Sequence, residues 1–303
     1  MEIFTLLRQK LGAEHVLQSE AMKNHTTFRI GGPADVFVTP QTADGLLFAL
    51  QICRDKNMPY FILGNGSNLL VLDGGIRGVV ISLKGLTEIR LLEGNRIYAQ
   101  GGAMMPNVSK YAREHGLAGL EFAEGIPGSI GGGVAMNAGA YEGEMKDVFW
   151  QAEVIDKNLR LVDIDLQSME FAYRTSAAQK YGYIVCGVIM QLAQGDKAEI
   201  AAKMTDYRKR RQEKQPLAMP SAGSTFKRPP GHFAGKLIMD AGLQGYEIGG
   251  AQVSEKHCGF VVNTGNATAQ DVLDVIEYVQ TAVMDKFGVF LETEVKIVGE
   301  AKV

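Results

Sequence analysis

Cysteine is scarce in this chain, and its scarcity bears on the compartment. The 303 residues include three cysteines, Cys53, Cys186 and Cys258, which stand far apart and form neither a Cys-x-x-Cys pair nor an even disulfide set. Small secreted domains use paired cysteines to supplement a small core, whereas cytoplasmic proteins keep their thiols reduced. The sequence therefore predicts a reducing, cytoplasmic environment.

Long apolar runs and an excess of one charge are also lacking. No apolar run approaches the roughly 20 residues of a membrane-spanning helix. Charges interrupt the apolar part of residues 1–11, so no signal peptide is expected there. The formal net charge is −3, which provides no general attraction to nucleic acid or to an anionic membrane. We expect neither of these partners, and we predict no metal site.

Internal repeats and low-complexity segments are absent too, and the length suits two or three domains. The character of the chain changes near residues 88 and 199. We therefore predict three domains, covering residues 1–88, 89–199 and 200–303.

Local patterns predict several elements of secondary structure. A Gly94-Asn95 turn between two strand-like runs predicts a hairpin. Thr268, with Asp271 three residues later, predicts the start of a long helix that ends near Lys286. We also expect a buried strand of the parallel type at residues 60–63 and a long strand at residues 289–298.

Glycine, by contrast, is plentiful at 36 residues, and its densest stretch is residues 124–140. The glycines of this stretch are Gly125, Gly128, Gly131, Gly132, Gly133 and Gly139. Such density indicates positive φ angles or a close approach of the main chain to another group. We predict that the N–H groups of Gly128, Ser129, Ile130 and Gly131 are free to bind an anion, as in a pyrophosphate cradle. A glycine-rich loop without a ligand is the alternative.

A second candidate loop is the run Gly-Asn-Gly-Ser-Asn at residues 64–68, directly after a predicted strand. A dinucleotide-binding Rossmann fingerprint would need a third glycine where Leu69 stands, and the chain has no Gly-Lys-Ser/Thr of a P-loop. Ser67 and Asn68 are nevertheless able to donate hydrogen bonds to a phosphate from a tight turn. A plain turn with polar capping side chains is the alternative.

Positive charge is concentrated in one run, Arg208-Lys209-Arg210-Arg211. The run lies within residues 200–214, whose spacing predicts a helix. Two interpretations stay open: a solvated helix face, or recognition of an anionic substrate. Nucleic acid is not expected, because the net charge is negative and no aromatic residues are interleaved with the basic ones.

Eight stretches, taken in order along the chain, resemble the UDP-N-acetylenolpyruvoylglucosamine reductase family, which are flavoenzymes of peptidoglycan precursor synthesis. They are residues 24–32, 64–73, 124–140, 173–174, 222–227, 236–250, 254–257 and 291–295. The resemblance implies an α/β (α+β) protein. It further implies an FAD-binding fold of the vanillyl-alcohol-oxidase type in two subdomains, followed by a smaller α/β substrate-binding domain.

The chain is similar to the shorter type of this family. The region between Tyr173 and Arg208 is too short for the extra substrate loop of the longer type, so the tyrosine of that loop has no obvious counterpart. Arg228 stands where the longer type has asparagine, and Gly101-Gly102-Ala103 replaces the usual Gly-Ala-Gly. These departures affect the expected substrate contacts more than the chemistry.

The activity implied by the resemblance is that of an oxidoreductase, a UDP-N-acetylmuramate dehydrogenase. We expect the protein to be a monomer. Noncovalent FAD relays a hydride from NADPH to the enolpyruvyl double bond of a UDP-sugar. Ser224 is implied as the donor of a proton to C2 of the substrate, with Arg174 and Glu294 flanking the substrate carboxylate. The expected substrate contacts are Lys214, which is a candidate for the diphosphate, Lys227 and Asn263. The expected cofactor contacts are Gly64, Asn65, Gly66, Ser67, Asn68, Gly125, Ile126, Pro127, Gly128, Ser129, Gly131 and Tyr173.

The residue types suit these roles, although each has a plainer explanation. Arginine offers a two-pronged donor to a carboxylate, and a glutamate beside a developing anion helps only when it is protonated. Serine needs neighbours that favour proton transfer, for which Lys227 is a candidate. Taken alone, Arg174 is typical of a surface ion pair, Ser224 of a turn and Glu294 of a solvent-facing strand position. Asn263 is equally explained as a turn residue at a strand end.

Two other functions compete with the reductase. Covalent FAD oxidases of the same fold attach the flavin through histidine or cysteine, but neither His25 nor any cysteine lies in such a motif. A nucleotide-sugar binding protein that has lost catalysis is disfavoured, because Ser224, Arg174 and Glu294 are all present.

Overall fold

The computed structural model describes residues 2–302, which form α-helices and mostly short β-strands. The helices are α1 Glu2–Leu11, α2 Ala43–Asp55, α3 Met105–Glu114, α4 Ile130–Ala135, α5 Met145–Val148, α6 Ala177–Tyr181, α7 Lys197–Lys214, α8 Ala234–Asp240 and α9 Ala269–Phe287. The strands are β1 Val16–Ala21, β2 Pro33–Val38, β3 Tyr60–Leu63, β4 Leu69–Val71, β5 Ile76–Ser82, β6 Ile89–Leu92, β7 Arg96–Gln100, β8 Leu117–Ala118, β9 Gly139–Ala140, β10 Gly143–Glu144, β11 Phe149–Ile155, β12 Leu161–Asp165, β13 Ile184–Gln191, β14 Ala193–Gln194, β15 Glu247–Ile248, β16 Ala251–Val253, β17 Val261–Asn263 and β18 Lys296–Val298. Within residues 2–302, no helix combines the length and apolar character needed to cross a membrane.

The chain divides into two compact units, each assembled from three segments. Unit 1 comprises the residues up to Leu17, Phe37–Asn65 and Val79–Arg211, whereas unit 2 comprises Gln18–Val36, Gly66–Gly78 and the residues from Gln212 onward. The three-domain division near residues 88 and 199 stays a prediction.

Unit 1 is built around an antiparallel five-stranded sheet of order β12-β11-β13-β7-β6. The predicted hairpin is confirmed: β6 and β7 pair through a turn in which Gly94 and Asn95 have φ angles of 74° and 59°. These positive angles suit glycine and asparagine, which is why the dipeptide signals the turn. Fully buried apolar side chains of the sheet and of helices α3 and α4 form one core, among them Ile97, Val134 and Val188.

A parallel pair of strands, β3 and β5, also contributes to unit 1, with Tyr60 opposite Val79 and Leu63 opposite Ser82. The parallel type is confirmed, but the expectation of a buried strand is wrong for Tyr60, which is 41% exposed. The reason is position, because β3 stands at the edge of the sheet of order β1-β2-β5-β3. An edge strand keeps one side open to solvent.

Unit 2 packs helices α8 and α9 around an antiparallel sheet of order β15-β16-β17. The predicted cap of α9 is confirmed, since Thr268 and Asp271 form a reciprocal capping box. A second carboxylate, which the sequence did not indicate, lies at the N-terminus of α9. The carboxylate of Asp73 accepts hydrogen bonds from the N–H groups of Ala269 and Gln270 at 3.0 and 3.2 Å. A carboxylate at this position stabilises the helix terminus.

The long strand expected at residues 289–298 is wrong in extent. Only Lys296–Val298 forms a strand, parallel to β4. Before it, the pairing is limited to one antiparallel bridge between Thr293 and Phe226, in which Glu294 N–H donates to the carbonyl of Thr225 at 2.8 Å. This irregular segment belongs to the candidate site.

Candidate active site

The glycine-rich stretch 124–140 contains a short helix that the sequence reading did not anticipate. The hydroxyl of Ser129 accepts a hydrogen bond from Gly132 N–H at 3.3 Å and so caps α4. The N–H groups of Ile130 and Gly131 donate to the carbonyls of Ala103 and Gly101, both at 2.8 Å. The prediction that these two groups are free to bind an anion is therefore wrong.

The two residues directly before them, Gly128 and Ser129, keep their N–H groups available. Within residues 2–302, the N–H groups of Gly128 and Ser129 donate to no other group of the protein, although the carbonyl of Gly128 accepts from Met105 N–H at 2.9 Å. The turn is thus held by its carbonyl side while its N–H side stays available. Two donors of this kind beside a helix start suit a phosphate oxygen.

The second candidate loop reaches the first inside unit 1. The carboxamide of Asn65 donates to the carbonyl of Pro127 at 2.6 Å. A Cβ atom on Gly64 would stand 2.4 Å from the hydroxyl oxygen of Ser129, a distance that real Cβ atoms do not tolerate. Glycine at position 64 is therefore what allows the two loops to touch.

Arg174 lies in a tight turn that the end of α4 supports. Ala172 and Thr175 exchange main-chain hydrogen bonds of 3.0 and 3.3 Å around Tyr173-Arg174. The carboxamide of the buried Asn137 donates to the carbonyl of Ala172 at 3.2 Å. The turn is thereby fixed to the chain that directly follows α4.

A second set of contacts fixes the same turn from its far side. The carbonyl of Ala135, at the end of α4, accepts from the hydroxyl of Ser176 at 3.1 Å and from the carboxamide of Gln179 at 2.7 Å. The sequence reading missed Ser176, Gln179 and Asn137. The signal available for Ser176 was its position as a helix-capping serine two residues after Arg174.

The backbone of Arg174 has a φ angle of 56°, in the left-handed region that long side chains rarely adopt. Its Nε atom is buried and its guanidinium carbon lies 5.3 Å from the centre of the Tyr173 ring. Tyr173 itself is 55% exposed. Strained angles of this kind persist where the surroundings hold them, and they concentrate at functional sites.

In unit 2, three expected site residues belong to adjoining segments. The carboxamide of Asn68 donates to the carbonyl of Glu294 at 3.1 Å, and the carbonyl of Asn68 accepts from Lys296 N–H at 3.0 Å. Glu294 N–H in turn donates to the carbonyl of Thr225, the neighbour of Ser224. Hydrogen bonds thus join Asn68, Glu294 and the segment that contains Ser224.

The hydroxyl of Ser224 forms no hydrogen bond within residues 2–302, whereas its neighbours are anchored. Thr225 is buried, donates its N–H to the carbonyl of Gly259 at 2.8 Å and accepts from Val261 N–H at 3.0 Å through its hydroxyl. The hydroxyl that serves the turn is that of Ser221, which accepts from Gly223 N–H at 3.5 Å. The plainer explanation of Ser224 as a turn residue therefore loses its basis.

Of the three expected substrate contacts, Lys214 is exposed, whereas Lys227 and Asn263 have partners within the protein. Lys214 is exposed at the last residue of α7, but the ammonium of Lys227 pairs with the carboxylate of Glu292. The carboxamide of the buried Asn263 donates to the carbonyl of Phe28 at 3.2 Å. Its oxygen accepts from two N–H groups of the following turn, which favours the explanation of Asn263 as a turn residue.

Comparison with known proteins gives a consistent answer. Residues 34–165 match the family described as an FAD binding domain, and residues 215–298 match the C-terminal domain of UDP-N-acetylenolpyruvoylglucosamine reductase. The chain is 53% identical over 299 residues to the UDP-N-acetylenolpyruvoylglucosamine reductase of Clostridium perfringens strain SM101, covering 99% of this chain and 98% of the relative. The chain belongs to the UDP-N-acetylenolpyruvoylglucosamine reductase family.

Two other members of the family agree with this assignment, and one distant relative shares the fold alone. The enzyme of Clostridium botulinum strain Hall is 53% identical, covering 96% of this chain and 94% of the relative. The crystal structure of the reductase from Thermus caldophilus superposes with a TM-score of 0.79 at 35% identity, covering 93% and 97%. An alkyldihydroxyacetonephosphate synthase, at 14% identity, has a TM-score of 0.50 and covers 64% and 40%. The predicted mixed α/β protein with an FAD-binding fold of the vanillyl-alcohol-oxidase type is confirmed.

The residues of this reductase chain fit noncovalent FAD. Gly64 and residues 125–129 present uncharged main chain, and the N–H groups of Gly128 and Ser129 are available, as a diphosphate requires. All three cysteines are unpaired and buried. Burial raises the pKa of the Cys53 thiol to about 11 and that of the Cys186 thiol to about 12, so neither is a reactive thiolate near neutral pH.

The contact between the two loops gives a prediction for FAD affinity. In Gly64→Ala, the new Cβ must displace the Ser129 hydroxyl or separate the loops, so we expect the dissociation constant for FAD to rise by about tenfold, equivalent to about 1.4 kcal/mol. Titration of the FAD-free protein, followed by flavin fluorescence, measures this change.

A double mutant supplies the control for this effect. Once Ser129→Ala removes the hydroxyl, the nearest atom to the new Cβ is 3.6 Å away, an ordinary contact. We expect Gly64→Ala/Ser129→Ala to bind FAD about as well as Ser129→Ala alone, which loses only the helix cap at about 1 kcal/mol of stability. Equal affinity of Gly64→Ala and wild type would remove Gly64 from the cradle.

Proposed function

We propose that this chain reduces the enolpyruvyl group of UDP-N-acetylglucosamine enolpyruvate to give UDP-N-acetylmuramate, a precursor of peptidoglycan. FAD is the bound cofactor, NADPH is the reductant and the substrate is a small UDP-sugar. The observation that carries the proposal is 53% identity over 99% of the chain to enzymes named for this substrate. FAD, when bound, supplies the relay of a hydride from NADPH to the substrate double bond.

The protein contributes a proton donor for the second half of the reaction. Hydride addition at C3 of the enolpyruvyl group leaves negative charge at C2 and in the adjacent carboxylate. Ser224 is proposed to deliver the proton to C2, and its hydroxyl has no hydrogen-bond acceptor within residues 2–302 that would compete. Thr225 is anchored by hydrogen bonds and fixes the main chain next to Ser224. The backbone position from which the Ser224 hydroxyl extends is therefore well defined.

Arg174 and Glu294 are proposed to stabilise the charge on the substrate carboxylate. The guanidinium is suited to a two-pronged contact with that carboxylate, and its turn is fixed by Asn137 and Gln179. Glu294 helps as a hydrogen-bond donor, which requires its protonated form. Its main chain is fixed on both sides, by Thr225 and Asn68.

A cytoplasmic location and a monomeric state complete the proposal. NADPH and UDP-sugars are cytoplasmic metabolites, and a single chain supplies every residue to which a role is assigned. Size-exclusion chromatography with light scattering tests the monomer, for which the expected mass is the 32.9 kDa of the chain.

A direct assay separates the reductase from its two competitors. We expect the purified protein to be yellow, and acid precipitation to release FAD into the supernatant. NADPH consumption under anaerobic conditions should depend on the enolpyruvyl UDP-sugar. Oxygen-dependent turnover without that substrate would indicate an oxidase, and binding of the UDP-sugar without any NADPH consumption would indicate a binding protein. Flavin retained in the pellet would contradict noncovalent attachment.

A further inference from the structure

Two arginines of the basic run on α7 bind another segment of the protein. They therefore match neither a solvated helix face nor a site for an anionic substrate. Arg208 forms an ion pair of 2.8 Å with Glu124, whose side chain is 16% exposed. Arg211 donates from its guanidinium to the carbonyl of Gly125. Both arginines therefore contact the first two residues of the glycine-rich stretch. Arg210, in contrast, keeps to its own helix, where it pairs with Asp206 at 2.7 Å and lies 6.0 Å from the centre of the Tyr207 ring.

The other end of the stretch is held by the same turn of α7. Tyr141, the residue after the stretch, stacks on Tyr207 with ring centres 4.3 Å apart and ring planes 7° from parallel. Its hydroxyl donates to the carbonyl of Tyr207 at 2.7 Å. Tyr141 has a φ angle of 57°, so this contact holds a backbone that is not at its intrinsic minimum.

Glycine at position 125 is required by the same contact. A Cβ atom there would stand 2.8 Å from Cδ and from Nε of Arg211. The arginine side chain thus lies directly against bare main chain. Glycine at position 125 leaves room for the Arg211 side chain, whereas glycine at position 64 leaves room for the Ser129 hydroxyl.

We propose that Tyr207, Arg208 and Arg211, which we call the α7 clasp, are positioning residues that order the glycine-rich stretch before FAD binds. The clasp fixes residues 124, 125 and 141, so the chain between them has less conformational freedom to lose when the cofactor arrives. The inference rests on the proposed function only in taking FAD as the ligand of that stretch.

The principal test replaces Arg211 by methionine, which keeps much of the apolar stem and removes the donor. We expect the dissociation constant for FAD to rise by about tenfold, the order of effect of one hydrogen bond to a charged group, and Arg211→Lys to recover part of the loss. Lys209→Met, on the same helix and exposed, is the matched control and should bind FAD as wild type does. Wild-type affinity in Arg211→Met would overturn the clasp.

Two further measurements keep the outcome unambiguous. In FAD-free protein, hydrogen exchange of residues 124–141 should accelerate by about tenfold in Arg211→Met while the core strand β13 keeps its protection. Unchanged exchange in Arg211→Met would overturn the inference, whether or not the wild type binds FAD. Failure of the wild type to bind FAD would instead contradict the proposed function.

A charge exchange separates positioning from direct contact with the cofactor. We expect Arg208→Glu to weaken FAD binding about threefold to tenfold through repulsion from Glu124. The exchanged pair Arg208→Glu/Glu124→Arg should restore affinity to within about twofold, because the clasp needs the pair and not its polarity. No recovery in the exchanged pair would show that Arg208 acts on the ligand itself and would overturn its assignment as a positioning residue.

Discussion

Ser224→Ala should slow oxidation of the reduced flavin by the enolpyruvyl substrate by about 10²–10⁴-fold, the usual contribution of a positioned general acid. FAD binding and flavin reduction by NADPH should stay close to wild type, because neither requires the serine proton. Affinity for the substrate should change little, since the hydroxyl acts mainly in the transition state. Rapid-mixing measurement of the two half-reactions, each followed by flavin absorbance, distinguishes these steps.

Ser221→Ala is the matched control for this prediction. Its hydroxyl accepts only a long hydrogen bond of 3.5 Å from Gly223 N–H, so both half-reactions should remain within a few-fold of wild type. Equal slowing of reduction and oxidation in Ser224→Ala would make the serine structural. No slowing of either step would place the proton donor elsewhere.

Arg174→Gly should produce the second large effect, again confined to oxidation by the substrate. Glycine accepts a φ angle of 56° without strain, so this variant removes the guanidinium while favouring the observed turn. Loss of a charged donor to the developing negative charge costs on the order of 10²–10³-fold in rate. The half-reaction with NADPH should be nearly unchanged, as stopped-flow absorbance would show.

Arg174→Lys examines the geometry of the same contact. Lysine keeps the charge but has no planar fork, so we expect it to recover only part of the lost rate. Leu159→Gly is the matched control for backbone relief, because Leu159 also has a positive φ angle, 61°, in a turn without an assigned role. Full activity of Arg174→Gly would refute any role of the guanidinium at the carboxylate.

Elements governed by short-range chemistry were predictable from the sequence. The hairpin at Gly94-Asn95 follows from positive φ angles that these two residues accept, and the start of α9 follows from a capping box within four residues. The family resemblance was predictable for a related reason, because its motifs combine many such local requirements in a fixed order. All of these signals lie within a few residues of the structure that they specify.

Other features were decided by contacts between residues far apart in the chain. The N–H groups of Ile130 and Gly131 are donors in any conformation, but only the tertiary structure places the carbonyls of Ala103 and Gly101 against them. Exposure of Tyr60 depends on the position of β3 at the edge of its sheet. Neither fact leaves a mark in the local sequence.

The sequence by itself determined the family, the cofactor class and the residues to suspect, because these depend on residue types in a fixed order. The tertiary structure alone decided what each suspected group is free to do. It showed that Lys227 pairs with Glu292, and that the carboxamide of Asn263 donates to the distant carbonyl of Phe28 and accepts from its own turn. The hydroxyl of Ser224, in contrast, has no hydrogen-bond partner within residues 2–302. The physical reason is that a polar group's availability depends on which distant partners folding brings to it, and hydrogen bonds and ion pairs act only over a few ångströms.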